Sequence, residues 1–272
     1  MFVGKIFMTM HKKHYRYFLF DLDRTLWDFD KNAKNAIMRL IDDLKLKELF
    51  GVCNKDLFFE RYEQINHALW AKYEKGEIDK EYLRWSRFAN PLSNYINGTF
   101  PPDNSLTTPL AKEWTAKEIE AFGLKMGNTY LEYMVDEKEL EPDADIVLKT
   151  LKEKGAKIAA VTNGFKEVQY RKLTNSNILE FFDAIIISEE VGVHNPNPAI
   201  FKMALEALCS KEEYEKDPSG KRKETIMVGD DFANDIEGAQ IFGIDQFYYN
   251  PKGRECDGGP TYMSGKLTDI IR

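Results

Sequence analysis

The sequence predicts an α/β fold, a doubly wound parallel sheet carrying a helical domain inserted after its first strand. Three observations lead there. Four short apolar runs, Tyr17 to Phe20, Ile158 to Val161, Ala184 to Ile187 and Ile226 to Val228, each end in a polar or acidic residue. They read as strands buried on both faces, as a parallel sheet requires. Helical periodicity fills the intervals in the second half of the chain, and strand–helix–strand repeats build a doubly wound sheet. Between about Asp28 and Leu140 the rhythm breaks into amphipathic helical pattern without β-branched runs.

Taken in order, the first strand precedes predicted cap helices at Ala36 to Leu46, Leu57 to Tyr73 and Ala116 to Met134. Asn90 to Pro109, rich in Pro, Asn, Thr, Ser and Gly, reads as a long loop between them. The core resumes with helices at Asp143 to Lys154, Lys166 to Asn175, Pro198 to Leu208 and Ala233 to Phe242, with Gly155 and Gly243 placed as helix stops. Ser210 to Glu224 reads as a polar surface insertion and Gln246 to Tyr249 as a fifth strand. The expected domains are therefore 1–27 with 141–272 (α/β core) and 28–140 (helical cap), a division that suits 272 residues.

Composition narrows the function. With 43% hydrophobic and 31% charged residues the chain is expected to be globular rather than disordered. A net charge of −7, with Lys221-Arg222-Lys223 the one dense basic run and read as a solvated loop, argues against binding a nucleic-acid polymer. Cys53, Cys209 and Cys256 form no disulfide or zinc spacing, which fits a reducing cytoplasm. Met1 to Met10 reads as a loose tail with neither signal nor membrane-spanning character, and His11 and His14 as surface residues.

Chemistry concentrates at three strand ends. In Asp21-Leu22-Asp23-Arg24-Thr25 two carboxylates follow an apolar strand and emerge at its carboxyl end, where open α/β sheets bind ligands. Adjacent anions there need a cation, and an oxygen-only pair suits the hard ion Mg²⁺. Gly229-Asp230-Asp231, with Asp235 following, repeats that context, although alone such a run is as readily a turn and helix cap. Thr162-Asn163-Gly164 offers a hydroxyl and backbone N–H groups where a helix begins, a seat for phosphate.

Asp21-x-Asp23-x-Thr25, Thr162-Asn163-Gly164, Gly192-Val193-x-x-Pro196 and Gly229-Asp230 with Asp235, in that order, resemble the motifs of the haloacid-dehalogenase-like hydrolases, and the insertion after the first motif resembles that family's helical cap. Thr162 to Phe165 and Ile187 to Val193 look most like the pyrimidine-nucleotidase branch. The resemblance implies a phosphatase of small phosphorylated metabolites, nucleoside monophosphates or sugar phosphates. Asp21 would attack phosphorus and Asp23 would act as acid and then base. Mg²⁺ would be held by Asp21, the Asp23 carbonyl and Asp230, with Asp235 orienting metal-bound water. Thr162, Asn163 and Gly164 would hold the phosphoryl oxygens and Thr25 would brace the nucleophile loop. An acid at position 23 separates this pattern from the family's dehalogenases and its transport ATPases.

One position departs. The family places a lysine immediately before the proline of its third motif, and this sequence has Asn195 before Pro196. Losing such an electrostatic stabiliser costs about 10²–10³ in rate. Lys166 is the expected substitute; a protonated His194, or a protein that only binds phosphorylated ligands, are the alternatives, and a phosphosugar mutase would need the same acids. Trp27 and Phe29, directly after the nucleophile loop, are candidates to stack on a nucleobase or to pack a hinge, whereas Trp70, Trp85 and Trp114 are read as cap core.

Overall fold

The computed structural model describes residues 13–97, 112–256 and 258–272. The expectations for Met1 to Met10, for His11 and for the later part of the Asn90 to Pro109 loop fall outside them. Among the described residues no helix is long and apolar enough to cross a membrane.

Six strands form one sheet: β1 (Tyr17–Phe20), β2 (Lys157–Thr162), β3 (Ala184–Ile187), β4 (Thr225–Gly229), β5 (Asp245–Tyr249) and β6 (Tyr262–Ser264). All pairs are parallel, in the order β3-β2-β1-β4-β5-β6. Twelve α-helices accompany them among the described residues: α1 (Phe29–Asp43), α2 (Leu46–Phe50), α3 (Lys55–Glu74), α4 (Lys80–Ile96), α5 (Ala116–Asp136), α6 (Ala144–Glu153), α7 (Lys166–Asn175), α8 (Ser188–Val191), α9 (Pro198–Cys209), α10 (Lys211–Lys216), α11 (Pro218–Lys223) and α12 (Gly238–Phe242). The chain divides into one compact unit that runs to Asp30 and resumes over Lys138–Arg272, and a second over Lys31–Glu137.

The α/β unit is held by apolar burial. Tyr17, Leu19, Ala159, Val161 and Met227 from the strands pack on Ile200, Phe201, Ala204 and Leu205 of α9 and on Ala239 and Phe242 of α12. The larger of these side chains, such as Leu19, Val161, Met227, Ile200 and Phe201, each contribute about 1.5–3 kcal/mol when fully buried. Gly155 and Gly243 follow α6 and α12 with left-handed φ, as the sequence predicts. The helical unit packs α4 against α3 and α5 around stacked or tilted rings of Tyr62, Phe88 and Tyr130. Trp114 stacks on Phe50 at 4.3 Å between ring centroids, a core role as expected.

Several elements differ from the sequence reading. α4 continues through Asn90 to Ile96, where a loop was expected. Pro91 cannot donate to the helix ladder, yet Phe88, Ala89, Leu92 and Tyr95 continue the buried face, and that burial overrides the local turn signals. α1 starts at Phe29 rather than Ala36, and the chain breaks at Lys45 (φ 53°) before α2. Ser210 to Glu224 contains α10 and α11, so Lys221-Arg222-Lys223 closes a helix rather than a loop, with Lys221 on the Tyr17 hydroxyl and Glu213. The segment before α12 is a wide π turn, Phe232–Glu237. β6 had no sequence signal beyond three residues.

Candidate active site

The order of the strands reverses between β1 and β4, and ligands bind outside the carboxyl ends at such a switch point. β1 lies between β2 and β4 in matched register, Phe20 opposite both Ala160 and Val228. The residues that follow β1 and β4 therefore emerge side by side. Carboxylate oxygens of Asp21, Asp230 and Asp235 lie within 4.8 Å of one another. Gly229 permits this approach, because a Cβ there would sit 2.1 Å from Asp235 Oδ2. The π turn brings Asp235 back under the strand end, where its Oδ2 accepts from the Asp231 N–H at 3.1 Å. Such widened turns recur at functional sites.

Gathering these acids is electrostatically costly. Burial, then the charges of Asp230 and Asp23, hold the Asp21 carboxyl well above the usual carboxylate range. Burial and the Asp21 charge do the same to Asp235. Asp230 is pushed up to about 6 by burial, with Arg24 and Arg254 opposing and Asp231 and Asp30 adding to the rise. A cluster that repels itself in this way could hold a cation. The donor set is all carboxylate oxygen without sulfur or imidazole, which fits Mg²⁺.

The loop that follows β1 is a tight turn. The Leu22 carbonyl accepts from Leu26 N–H and Trp27 N–H at 2.9 and 2.8 Å, and Arg24 N–H donates to the Trp27 carbonyl at 2.8 Å. Arg24 adopts φ 66°, a conformation unfavourable for a side-chain-bearing residue. Its guanidinium is tied to Asp30 at 2.6 Å and lies 4.2 Å from the Phe29 ring centroid. Thr25, fully buried, donates to Asp21 Oδ2 at 3.2 Å. Trp27 is also fully buried, and its indole N–H donates to Ser176 Oγ at 3.1 Å. It is packing at the base of the loop rather than a platform for a nucleobase.

Asp23 turns away from the acidic cluster toward α7. Gln169 Nε2 donates to its Oδ2 at 3.0 Å and Lys172 Nζ to its Oδ1 at 2.6 Å. Gln169 also donates to Thr162 Oγ1 at 2.7 Å, so one amide links the first two motifs. Gly164 lets α7 come this close, since a Cβ there would meet the Gln169 side chain at 2.3 Å. Neither Gln169 nor Lys172 was singled out from the sequence. A signal was present: the buried face of α7 comprises Val168, Gln169, Lys172 and Leu173, so an amide and an ammonium occupy helical positions that should be apolar.

Asn163 Oδ1 accepts from Asn195 N–H at 2.9 Å, and its Nδ2 donates to the Asn195 carbonyl at 3.3 Å. Its side chain thus ties the second and third motifs together. Asn195, buried, reaches Asp235 Oδ1 through Nδ2 at a long 3.4 Å. Lys166, the expected substitute cation, is elsewhere: its ammonium pairs with Glu190 at 2.8 Å and its side chain is 59% exposed. Its position at the start of α7 points it at α8, and its N–H donates to Glu189 at 2.8 Å. His194 is pushed down from its ordinary value by burial, which opposes a positive charge there.

Beside Asp230 a pocket is lined by Arg24, Asp30, Glu141, Tyr249, Lys252 and Arg254. Burial pushes the Glu141 carboxyl up to about 7, against a hydrogen bond from the Tyr249 hydroxyl at 2.9 Å and with help from Asp28, Asp230 and Asp30. The folded protein therefore keeps a proton that the unfolded chain releases in the ordinary carboxylate range. Stability from this group is present at low pH and falls as pH rises from that range through about 7. Glu141→Gln is expected to flatten the melting temperature against pH over that window, removing about 1–2 kcal/mol of the decline. Parallel profiles for the two proteins would show that Glu141 does not titrate this way.

The family described as haloacid dehalogenase-like hydrolase matches residues 15–243. The pyrimidine 5'-nucleotidase PynA of Streptococcus pneumoniae is 28% identical, over 94% of each chain. The pyrimidine 5'-nucleotidase YjjG of Escherichia coli is 27% identical, over 92% of this chain and 94% of its own. Among solved structures, the HAD-hydrolase YfnB of Bacillus subtilis, described as bound to magnesium, superposes with a TM-score of 0.73 at 25% identity, covering 95% of this chain and 98% of that one.

Proposed function

We propose that this chain, which belongs to the haloacid dehalogenase-like hydrolase family, is a Mg²⁺-dependent nucleoside monophosphatase acting through an aspartyl-phosphate. Its family and its phosphatase and nucleotidase relatives make it a phosphoric monoester hydrolase. The observation that carries the finer reading is the separation of two carboxylates two residues apart: Asp21 joins the acidic cluster, whereas Asp23 is held apart by Gln169 and Lys172 of α7. That separation supports attack by the first and proton transfer by the second.

In this reading a carboxylate oxygen of Asp21 attacks phosphorus and the ester bond to the leaving oxygen breaks, while Asp23 gives that oxygen a proton. Water then attacks the phosphorus of the aspartyl-phosphate, the Asp23 carboxylate takes its proton, and Asp21 is released with inorganic phosphate. Thr162 Oγ1, already accepting from Gln169 and from Gly164 N–H at 3.3 Å, keeps its own proton to donate to a phosphoryl oxygen. Asn163 N–H is the companion donor. Mg²⁺, held by Asp21, the Asp23 carbonyl and Asp230 with Asp235 behind them, would neutralise phosphate charge. The nucleotide preference rests on PynA and YjjG, whose similarity runs over almost their full lengths; sugar phosphates are the competing substrates.

The test is phosphate release from a panel of nucleoside monophosphates and sugar phosphates. Release that disappears with a chelator and favours a pyrimidine nucleotide is the expected result. Mg²⁺ at about 100 times its dissociation constant should also stabilise the protein by about 2.7 kcal/mol. Metal-independent release would sink the mechanism, and a sugar phosphate as best substrate would replace the nucleotide reading.

A further inference from the structure

Asn195 leaves the third motif without its positive charge, yet the site holds an ammonium that no motif accounts for. Lys172 lies in the middle of α7 with its side chain 3% exposed, 2.6 Å from Asp23 Oδ1. Its Nζ lies 4.2 Å from the centroid of the buried Trp27 ring and 5.4 Å from that of Phe29. An ammonium is seldom buried without a strong partner. Here the partner is one of the two carboxylates of the first motif, not a distant structural acid.

We propose that Lys172 supplies from α7 the fixed positive charge that other members of the family place at the position of Asn195, and that it positions Asp23 for proton transfer. The inference rests on the phosphatase reading above. Asp21, Asp230 and Asp235 gather three carboxylates, and the charge of Asp23 acts on Asp21 as well. Arg24 and Arg254 act on Asp230. On the α7 side the positive charge comes from Lys172. Asn195 offers Asp235 only a neutral amide. With Lys172 on one oxygen of Asp23 and Gln169 on the other, the carboxylate has a single orientation between the two. Trp27 and Phe29 wall the ammonium from water, so its field is little screened. The aromatic pair after the nucleophile loop thereby gains a role in this chain: it houses the cation.

The experiment compares the full-length protein with Lys172→Met, Lys172→Arg and the double variant Lys172→Met/Asn195→Lys, reading kcat, KM, melting temperature and Mg²⁺-dependent binding of inorganic phosphate. Lys172→Met should lower kcat/KM by about 10²–10³-fold, and Lys172→Arg should retain activity within about tenfold of wild type. Restoring the charge from the other side, the double variant should recover at least about tenfold of what Lys172→Met loses. A purely structural lysine gives no such recovery, so a double variant no better than Lys172→Met overturns the proposal. Lys172→Met within about threefold of wild type overturns it too. If Lys172→Met does not fold, Lys172→Gln, uncharged but able to hydrogen bond to Asp23, takes its place. Failure of the phosphatase reading shows itself separately, as wild-type protein that releases no phosphate. Phosphate binding then decides the inference: about tenfold weaker binding without the lysine upholds the charge, and equal or no binding removes it.

Discussion

Asp21→Asn is expected to lower phosphate release by about 10⁴–10⁶-fold, the scale of losing a nucleophile that works as part of a unit, and at the same time to make the protein melt higher. The two effects have one cause. Asp21 sits at a strand end with Asp230 and Asp235 within 4.8 Å, and its charge is opposed by burial and by the charges of Asp230 and Asp23. An amide of the same shape still accepts from Thr25 and relieves the repulsion, so the metal-free variant should gain about 1–2 kcal/mol, or about 2–6 °C. Mg²⁺ should narrow the difference, because it offsets in the wild type the repulsion that the variant lacks. Melting curves with and without Mg²⁺, alongside phosphate release, check both halves. A variant that is inactive because it is unstable would contradict the site described here; one that keeps release within about tenfold would remove Asp21 as nucleophile.

That cluster also shows how far a sequence can be read. Tyr17 to Phe20 and Ala184 to Ile187 were legible to the residue because buried parallel strands are continuous apolar runs with polar ends. Asp21 and Asp230 follow β1 and β4, whose matched register brings them out side by side at the carboxyl end of the sheet. Lys172 and Gln169 were hidden because side-chain direction on a helix depends on how the helix is docked. A lysine in α7 reads by default as solvated, and it is the docking of α7 against Asp23 that turns this one inward. Lys166 erred the other way: proximity to Thr162 in sequence suggested the site, while the first turn of α7 aims it at Glu190. Over Asn90 to Ile96 the loop signal of Pro91 and the asparagines outweighs Leu92 and Tyr95 in a local reading. Buried contacts outweigh them in the fold.

Asp23→Asn should separate the two chemical steps by leaving group. The substitution keeps the loop's geometry: an amide oxygen still accepts from Lys172, and Gln169, whose Oε1 has no hydrogen-bond partner, can turn to accept from the new amide nitrogen. What is lost is the proton. A nucleoside or sugar alkoxide leaves poorly without one, so turnover of a nucleoside monophosphate should fall by about 10²–10⁴-fold, the usual contribution of general acid–base catalysis. A nitrophenyl phosphate, whose phenolate departs unprotonated, should still phosphorylate Asp21. Its second step still needs Asp23 to take a proton from water, so the aspartyl-phosphate should accumulate. Rapid mixing of Asp23→Asn with the aryl ester is expected to give a burst of nitrophenolate approaching one equivalent of enzyme and then slow turnover, while the nucleotide gives no burst. Equal losses for both substrates without a burst would mean that Asp23 does not move the proton. Its contacts to Lys172 and Gln169 would then be a brace for the loop, and the acid would have to be sought elsewhere in the cleft.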